Sequence, residues 1–277
     1  MKKVFRSYQL LILLSSVLPL FGACSDSERC VSWYKYIQTD VGINFNYVRY
    51  KLGKLSKISG YLAGVHCELE FKKPCHVLVG IYFDGQWNAG HLCSKTDLCN
   101  PSDVRSKVAD YIVDLHAGYN WAICSERFLF TPFAGVGFYH LSKKLAPDVI
   151  RYKYHNVFIP VGFEFDWCVN DCFDIGLRAE YRIDAYTRLK LSIPCIKVCE
   201  KLKLKRSHGV KVEIPMTWYY DASVCGKRSL DMNCKVIPFF DWNKFGAAKQ
   251  ESNCLAVPVP KLKRWHLGLR VLVGFNF

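Results

Sequence analysis

The chain has 277 residues, 22% of them charged and 15% aromatic, a composition that excludes an intrinsically disordered protein. Gly and Pro are scattered without a period, which excludes collagen-like and linker-like sequences. The formal net charge of +14 implies attraction to something anionic and leaves the fold open.

The first residues, MKKVFRSYQLLILLSSVLPLFGAC, set Lys2, Lys3 and Arg6 before an apolar run that ends at Gly22 and Ala23. That is the layout of a secretory signal peptide over residues 1–23, too short to span a bilayer as a helix. Phe21 to Cys24 loosely matches a lipobox, which would put a lipid on Cys24. Residues 24–37 read as an N-terminal periplasmic segment and 38–277 as the folded unit. The 14 cysteines of an exported chain favour disulfides over metal ligands. No pair of CxxC knuckles and no HExxH occurs, so no metal and no cofactor is expected. Cys93/Cys99, Cys168/Cys172, Cys195/Cys199 and Cys225/Cys234 each fall in a turn-like segment and are candidates for local bridges. Bridges to other cysteine-rich envelope proteins are the alternative.

Past the signal, period-two alternation recurs along the chain. The runs are Val41–Tyr47, Gly60–Phe71, Val77–Phe83, Ala109–Trp121, Phe128–Phe138, Val157–Trp167, Phe173–Ala185, Val210–Tyr220, Lys235–Trp242 and Trp265–Phe277. Many exceed ten residues, whereas soluble strands average about five or six and bilayer-crossing strands need about 9–11. Short turns (Lys72–Pro74, Ile123–Arg127, Cys168–Cys172) alternate with longer polar segments (Gly85–Arg105, Leu141–Tyr152, Thr187–Ser207). One face of each run is apolar through its middle, and the other collects charges and glycines. Lipid takes the first face and a narrow lumen the second. The prediction is an all-β fold, a transmembrane antiparallel up-and-down β-barrel of ten strands. Eight strands with one long loop, or twelve with RLKLSIPCIKV in the wall, are the alternatives. Pro132 and Pro160 fall inside strands and are expected near bulges or strand ends.

The predicted lumen charges are Glu68, Asp84, Asp110, Asp114, Glu164, Arg178, Glu180, Arg182, Asp184 and Arg270, in which acids outnumber bases. The surplus of positive charge then belongs to loops. Arg188, Lys190, Lys197, Lys201, Lys203, Lys205 and Arg206 form one basic loop, and Lys261, Lys263 and Arg264 another. Trp121 and Trp167 beside the short turns, with Trp87 and Trp265 at the opposite ends, would form two aromatic girdles.

FTPFAGVGFYHL followed by FIPVGFEFDWCVNDCFDIGLRAEYRI resembles the paired hairpin of small outer-membrane barrels of the OmpA/OmpX type, over Lys107 to Tyr186. Cysteine abundance resembles, more weakly, the cysteine-rich outer-membrane proteins of chlamydia-like bacteria. Phe275 and Phe277, on the last alternating run, are similar to the C-terminal signal that barrel-assembly machinery reads. The resemblance implies a bacterial outer-membrane protein, with outer-membrane lipid and lipopolysaccharide as surroundings and no nucleic-acid partner.

Three functional readings follow. The first is a structural or surface-binding barrel, its lumen closed by paired charges and its basic loops gripping phosphate. The second is a small cation-preferring porin. The third rests on FYHLS, where His140 and Ser142 face one side of a strand and resemble the His-x-Ser pair of barrel lipid A deacylases. The Asn that follows in that family is Lys143 here, and no third partner is evident.

Overall fold

The computed structural model describes residues 37–53, 56–72, 77–87, 93–96, 106–123, 127–145, 150–170, 172–193, 198–204, 206–224, 228–247 and 261–276. Every regular element among them is a strand: β1 (Ile37–Leu52), β2 (Ser56–Lys72), β3 (Val77–Trp87), β4 (Cys93–Thr96), β5 (Ser106–Tyr119), β6 (Trp121–Ile123), β7 (Phe128–Leu145), β8 (Ile150–Asn170), β9 (Phe173–Ile193), β10 (Val198–Lys203), β11 (His208–Glu213), β12 (Met216–Val224), β13 (Arg228–Phe245) and β14 (Leu262–Asn276). The expected signal peptide, Cys24 and the segment before Ile37 lie outside the described residues.

Antiparallel pairing runs around a closed ring: β1, β2, β3, β5, β7, β8, β9, β11 with β12, β13, β14 and back to β1. Closure is visible at Val41, which lies opposite Cys67 on one side and Val273 on the other. Among the described residues the ring has ten staves; β6 and β12 continue β5 and β11, while β4 and β10 pair with the upper parts of β2 and β9.

The prolines explain where the ladder is interrupted. A proline has no N–H to give a neighbouring strand. The break between β5 and β6 at Asn120 lies opposite Thr131, next to Pro132, and Thr131 Oγ1 bridges it by donating to Asn120 Oδ1 at 2.7 Å. Pairing between β7 and β8 lapses from Ala134↔Val161 to Gly137↔Phe158, around Pro160, and β8 shifts register against β9 between Val157 and Phe158. Pro215 separates β11 from β12, where Ile214 N donates to the Pro238 carbonyl at 3.0 Å. Glycine is structurally required at several positions, and two show why. Gly53, at φ 55°, makes the tight turn between β1 and β2. Gly135 lies so close to β5 that a Cβ would collide with the Leu115 carbonyl oxygen.

Alternation sorts the wall into two faces. Outward positions include Ile43, Leu267 and Tyr61, each more than 60% exposed, with Val65, Leu115, Val136 and Val273. On β7 the outward apolar run lasts from Phe128 to Phe138. That is about 33 Å along the strand, or ~25 Å along the axis at a tilt of ~40°, the height of a bilayer's apolar band.

Above this belt the pattern inverts. Outward positions become basic (Lys51, Lys57, Lys144, Lys153, Lys263), and inward ones become apolar: Val48, Ile58, Leu62, Ile112, Leu141, Leu189 and Leu262 are all at most 5% exposed. The staves therefore extend past the apolar belt as a barrel with a basic outer wall and an apolar interior. Two expected loops are corrected by this. Leu141–Tyr152 is mostly strand, since β7 runs to Leu145 and β8 starts at Ile150. Thr187–Ser207 is largely a strand hairpin, with Lys190 opposite Lys201 and Arg188 opposite Lys203.

Candidate functional site

The lumen is built from inward positions of every stave whose side chains are described. In its lower part the charges pair across the barrel. Arg178 Nη2 donates to Glu164 Oε2 at 2.8 Å and to Glu70 Oε1 at 2.9 Å. Lys235 Nζ donates to Asp40 Oδ2 at 2.6 Å and Glu68 Oε2 at 2.8 Å, and His66 Nε2 lies 2.8 Å from Glu68 Oε1. Arg270 Nη1 pairs with Glu213, which also takes Lys211 Nζ at 2.9 Å. In the middle, Asp241 Oδ2 accepts from Arg264 at 2.5 Å and Arg182 at 3.1 Å. Arg264 also approaches Asp110 at 3.3 Å and covers the Tyr139 ring at 4.3 Å. Arg264 and Arg270 are both 1% exposed. Charges this deep are tolerable only when paired and hydrogen-bonded.

Of the sequence-predicted lumen charges, Glu68, Asp110, Asp114, Glu164, Arg178, Glu180, Arg182 and Arg270 are buried inside the barrel. Asp184 is half-buried; its carboxylate accepts from Thr187 Oγ1 and from Ser207 N, which ties β9 to the start of β11. Asp84 occupies an inward register position, opposite His66 and Ile112, and its side chain lies outside the described residues. Sequence reading missed four inward cations, Lys143, Lys211, Lys235 and Arg264. The signal was present for Arg264: it alternates with Lys263 and Trp265, so it cannot share their outward face.

Over the ion network sits an apolar plug. Tyr50, Tyr139, Tyr154, Phe158 and Phe245 pack with the leucines and isoleucines named above, Phe245 lying 5.6 Å from both Tyr139 and Tyr154, ring centre to ring centre. Lys143, 3% exposed, reaches over the Tyr50 ring at 5.9 Å. The expected lumen of charges and small residues is thus corrected in its upper part, which is a hydrophobic core.

Asp114, His116 and Glu180 are all buried and offer ligand atoms within 4.8 Å of one another. A guanidinium already serves them: Arg182 Nε donates to Glu180 Oε1 at 2.5 Å, and its Nη2 lies 3.8 Å from Asp114 Oδ2. His116 stacks on Phe133, with centroids 4.6 Å apart.

The outer wall carries the other sequence candidates. His140 and Ser142 both face outward. His140 Nδ1 lies 3.2 Å from His155 Nδ1 and its ring stacks on Tyr111, while Ser142 sits opposite Lys153. Among the described residues the outward positions carry no Asp or Glu, so none of these supplies the acid that orients the imidazole of a Ser–His pair. Arg188, Lys190 and Lys203 stand on strands and face outward, and Arg206 is exposed beside them, so the basic "loop" is corrected to a wall. Lys201 pairs with Lys190 in the backbone register; its side chain, with Lys197 and Lys205, lies outside the described residues.

Trp121 and Trp167 are exposed near the short turns, and Trp265 is half-buried near the opposite end. The Trp87 side chain lies outside the described residues. Phe275 faces outward opposite Thr39 and Met232, and Phe277 lies outside the described residues. Two expected bridges are corrected. Cys168 Sγ donates to the Asn170 carbonyl at 3.5 Å and is not bonded to Cys172. Cys234 is a free thiol on the outward face, as is Cys67, so Cys225–Cys234 does not form. Cys99, Cys195 and Cys225, and the side chains of Cys93 and Cys199, lie outside the described residues.

No protein-family model matches the sequence, and neither does any curated protein. Solved structures do match in fold. The outer membrane protease OmpT from Escherichia coli aligns with 87% of this chain and 97% of its own, at a TM-score of 0.57 and 10% identity. The translocator domain of the autotransporter NalP from Neisseria meningitidis aligns with 99% of this chain and 96% of its own, at 0.41 and 10% identity. Neisserial surface protein A aligns with 86% of this chain and 97% of its own, at 0.35 and 9% identity. The likeness to OmpT shows the fold, that of a bacterial outer-membrane β-barrel, and the apolar belt on the outer wall fits that membrane.

Proposed function

We propose that this protein is a sealed outer-membrane barrel with a structural and surface-binding role. One observation carries the reading: the lumen is occupied in series, by cross-paired charges below and a hydrophobic core above. An ion crossing it would have to displace Arg264 from Asp241 and then pass between Phe245, Tyr139 and Tyr154. A conducting pore needs a continuous wetted path, and a dry apolar constriction opposes one. Delivery by barrel-assembly machinery through Phe275 and Phe277 belongs to the same proposal.

Liposome swelling tests it. Vesicles carrying the refolded protein, confirmed as a barrel by its heat-modifiable gel shift, should swell in isosmotic arabinose no faster than empty vesicles. Swelling at the rate of a general porin at equal protein-to-lipid ratio would overturn the sealed reading in favour of a small porin.

A further inference from the structure

The outward residues above the apolar belt share one sign, and register places them side by side. Lys57 lies opposite Lys51, Lys51 opposite Lys263, and Lys263 opposite Lys244. On the far side Lys107 lies opposite Lys144, Lys144 opposite Arg151, and Lys153 opposite Lys190. Neighbouring strands are about 4.8 Å apart, and like charges directly opposite one another are destabilising. A wall that merely faced water would relieve this by alternating sign across strands. This one has no outward carboxylate among the described residues, which makes it complementary to an anionic surface.

Directly below the Lys51–Lys263–Lys244 row, the wall holds a cavity of about 230 Å³. Tyr47, Phe240, Trp265 and Leu267 supply apolar walls, and Arg49 stands at its edge, opposite Trp265 in the register. A cation above a greasy recess, at the level where belt gives way to lysines, is complementary to a lipid that carries phosphate on its headgroup.

We propose that this face of β13, β14 and β1 is a binding seat for a phosphorylated glycolipid of the outer leaflet, of the lipid A class. One acyl chain lies in the recess, and a headgroup phosphate is held by Arg49, Lys51 and Lys263. Phosphate suits these partners, since charge-assisted hydrogen bonds from Arg and Lys are the strong ones. The seat lies on the outer wall, so it stands or falls independently of whether the lumen is sealed.

Native mass spectrometry of the refolded barrel in neutral detergent, titrated with bis-phosphorylated lipid A, tests the seat. A bound lipid is expected, with affinity falling at least tenfold for the dephosphorylated lipid and for the Arg49→Gln/Lys51→Gln/Lys263→Gln variant. Trp265→Ala/Leu267→Ala should weaken lipid A to a similar degree while leaving the de-acylated, phosphorylated disaccharide unaffected. Lys153→Gln/Lys190→Gln, on the opposite wall, should retain the tightest-bound lipid. Each variant is scored only as the heat-modifiable, folded form, and Lys51→Arg/Lys263→Arg should restore binding. Equal affinity for the dephosphorylated lipid, loss only in the Lys153/Lys190 variant, or displacement by heparin rather than by lipid would overturn the proposal. The last result would point to a soluble acidic partner instead.

Discussion

Lys235 is the place to ask whether the lumen is dry. Its ammonium lies 2.6 Å from Asp40 Oδ2 and 2.8 Å from Glu68 Oε2, and these two carboxylates are 0% and 3% exposed. Lys235→Met keeps the length of the side chain and removes the charge, leaving two buried carboxylates without the cation between them. Breaking a buried pair by removing one partner costs about 3–5 kcal/mol, because the remaining charge is uncompensated. Here that is a loss of roughly 10²–10⁴ in the folding equilibrium. Removing all three charges together, in Asp40→Asn/Glu68→Gln/Lys235→Met, should return stability to within about 1 kcal/mol of the parent, because neutral replacements of buried ion pairs are commonly tolerated. Urea unfolding in lipid vesicles, followed by Trp fluorescence, measures both. If Lys235→Met alone costs less than about 1 kcal/mol, water already screens the pair, as at an exposed salt bridge, and the reasoning from a dry lumen fails.

Other outcomes follow from the same geometry. Phe245→Ala removes the ring between Tyr139 and Tyr154 and should cost about 3–5 kcal/mol by the same unfolding measurement; near-neutral behaviour would mean the plug is not packed. Gly135→Val drives a side chain into the Leu115 carbonyl, so the folded fraction on a heat-modifiable gel should drop sharply while Val136→Ala, on the lipid side, folds normally. Cys67 and Cys234 face outward, so in vesicles a sulfonated, membrane-impermeant maleimide should label neither, and N-ethylmaleimide, which enters the bilayer but needs the thiolate, should label both far more slowly than after unfolding in urea. Labelling by both reagents would place the thiols in water.

The strands and their facing were legible in the sequence wherever lipid lies outside. There the two faces differ in kind: Tyr61, Val65 and Leu69 alternate with Gly64, His66 and Glu68. Above the membrane the same alternation survives with its polarity reversed, as in Arg188-Leu189-Lys190 or Lys261-Leu262-Lys263. Read with the membrane rule, such segments look like basic loops, because their charges are dense and their apolar residues isolated. Only the pairing of β9 with β10, and of β14 with β1 and β13, shows that Leu189 and Leu262 point into a core. Arg264 was misplaced for the same reason: it belongs by phase to the lumen and by neighbourhood to a basic cluster. The partners inside the lumen were not legible, since the ion pairs join residues up to 195 positions apart, as Asp40 and Lys235 do. Which carboxylate meets which cation depends on register and shear, and composition does not encode either.

The most direct test of the sealed-barrel account is single-channel recording in planar bilayers. Refolded protein should insert without conductance steps above baseline in 1 M KCl, and Phe158→Ala/Phe245→Ala with Arg264→Ala, which hollows both layers, should produce them. Stable, reproducible steps from the unmodified chain would contradict the account.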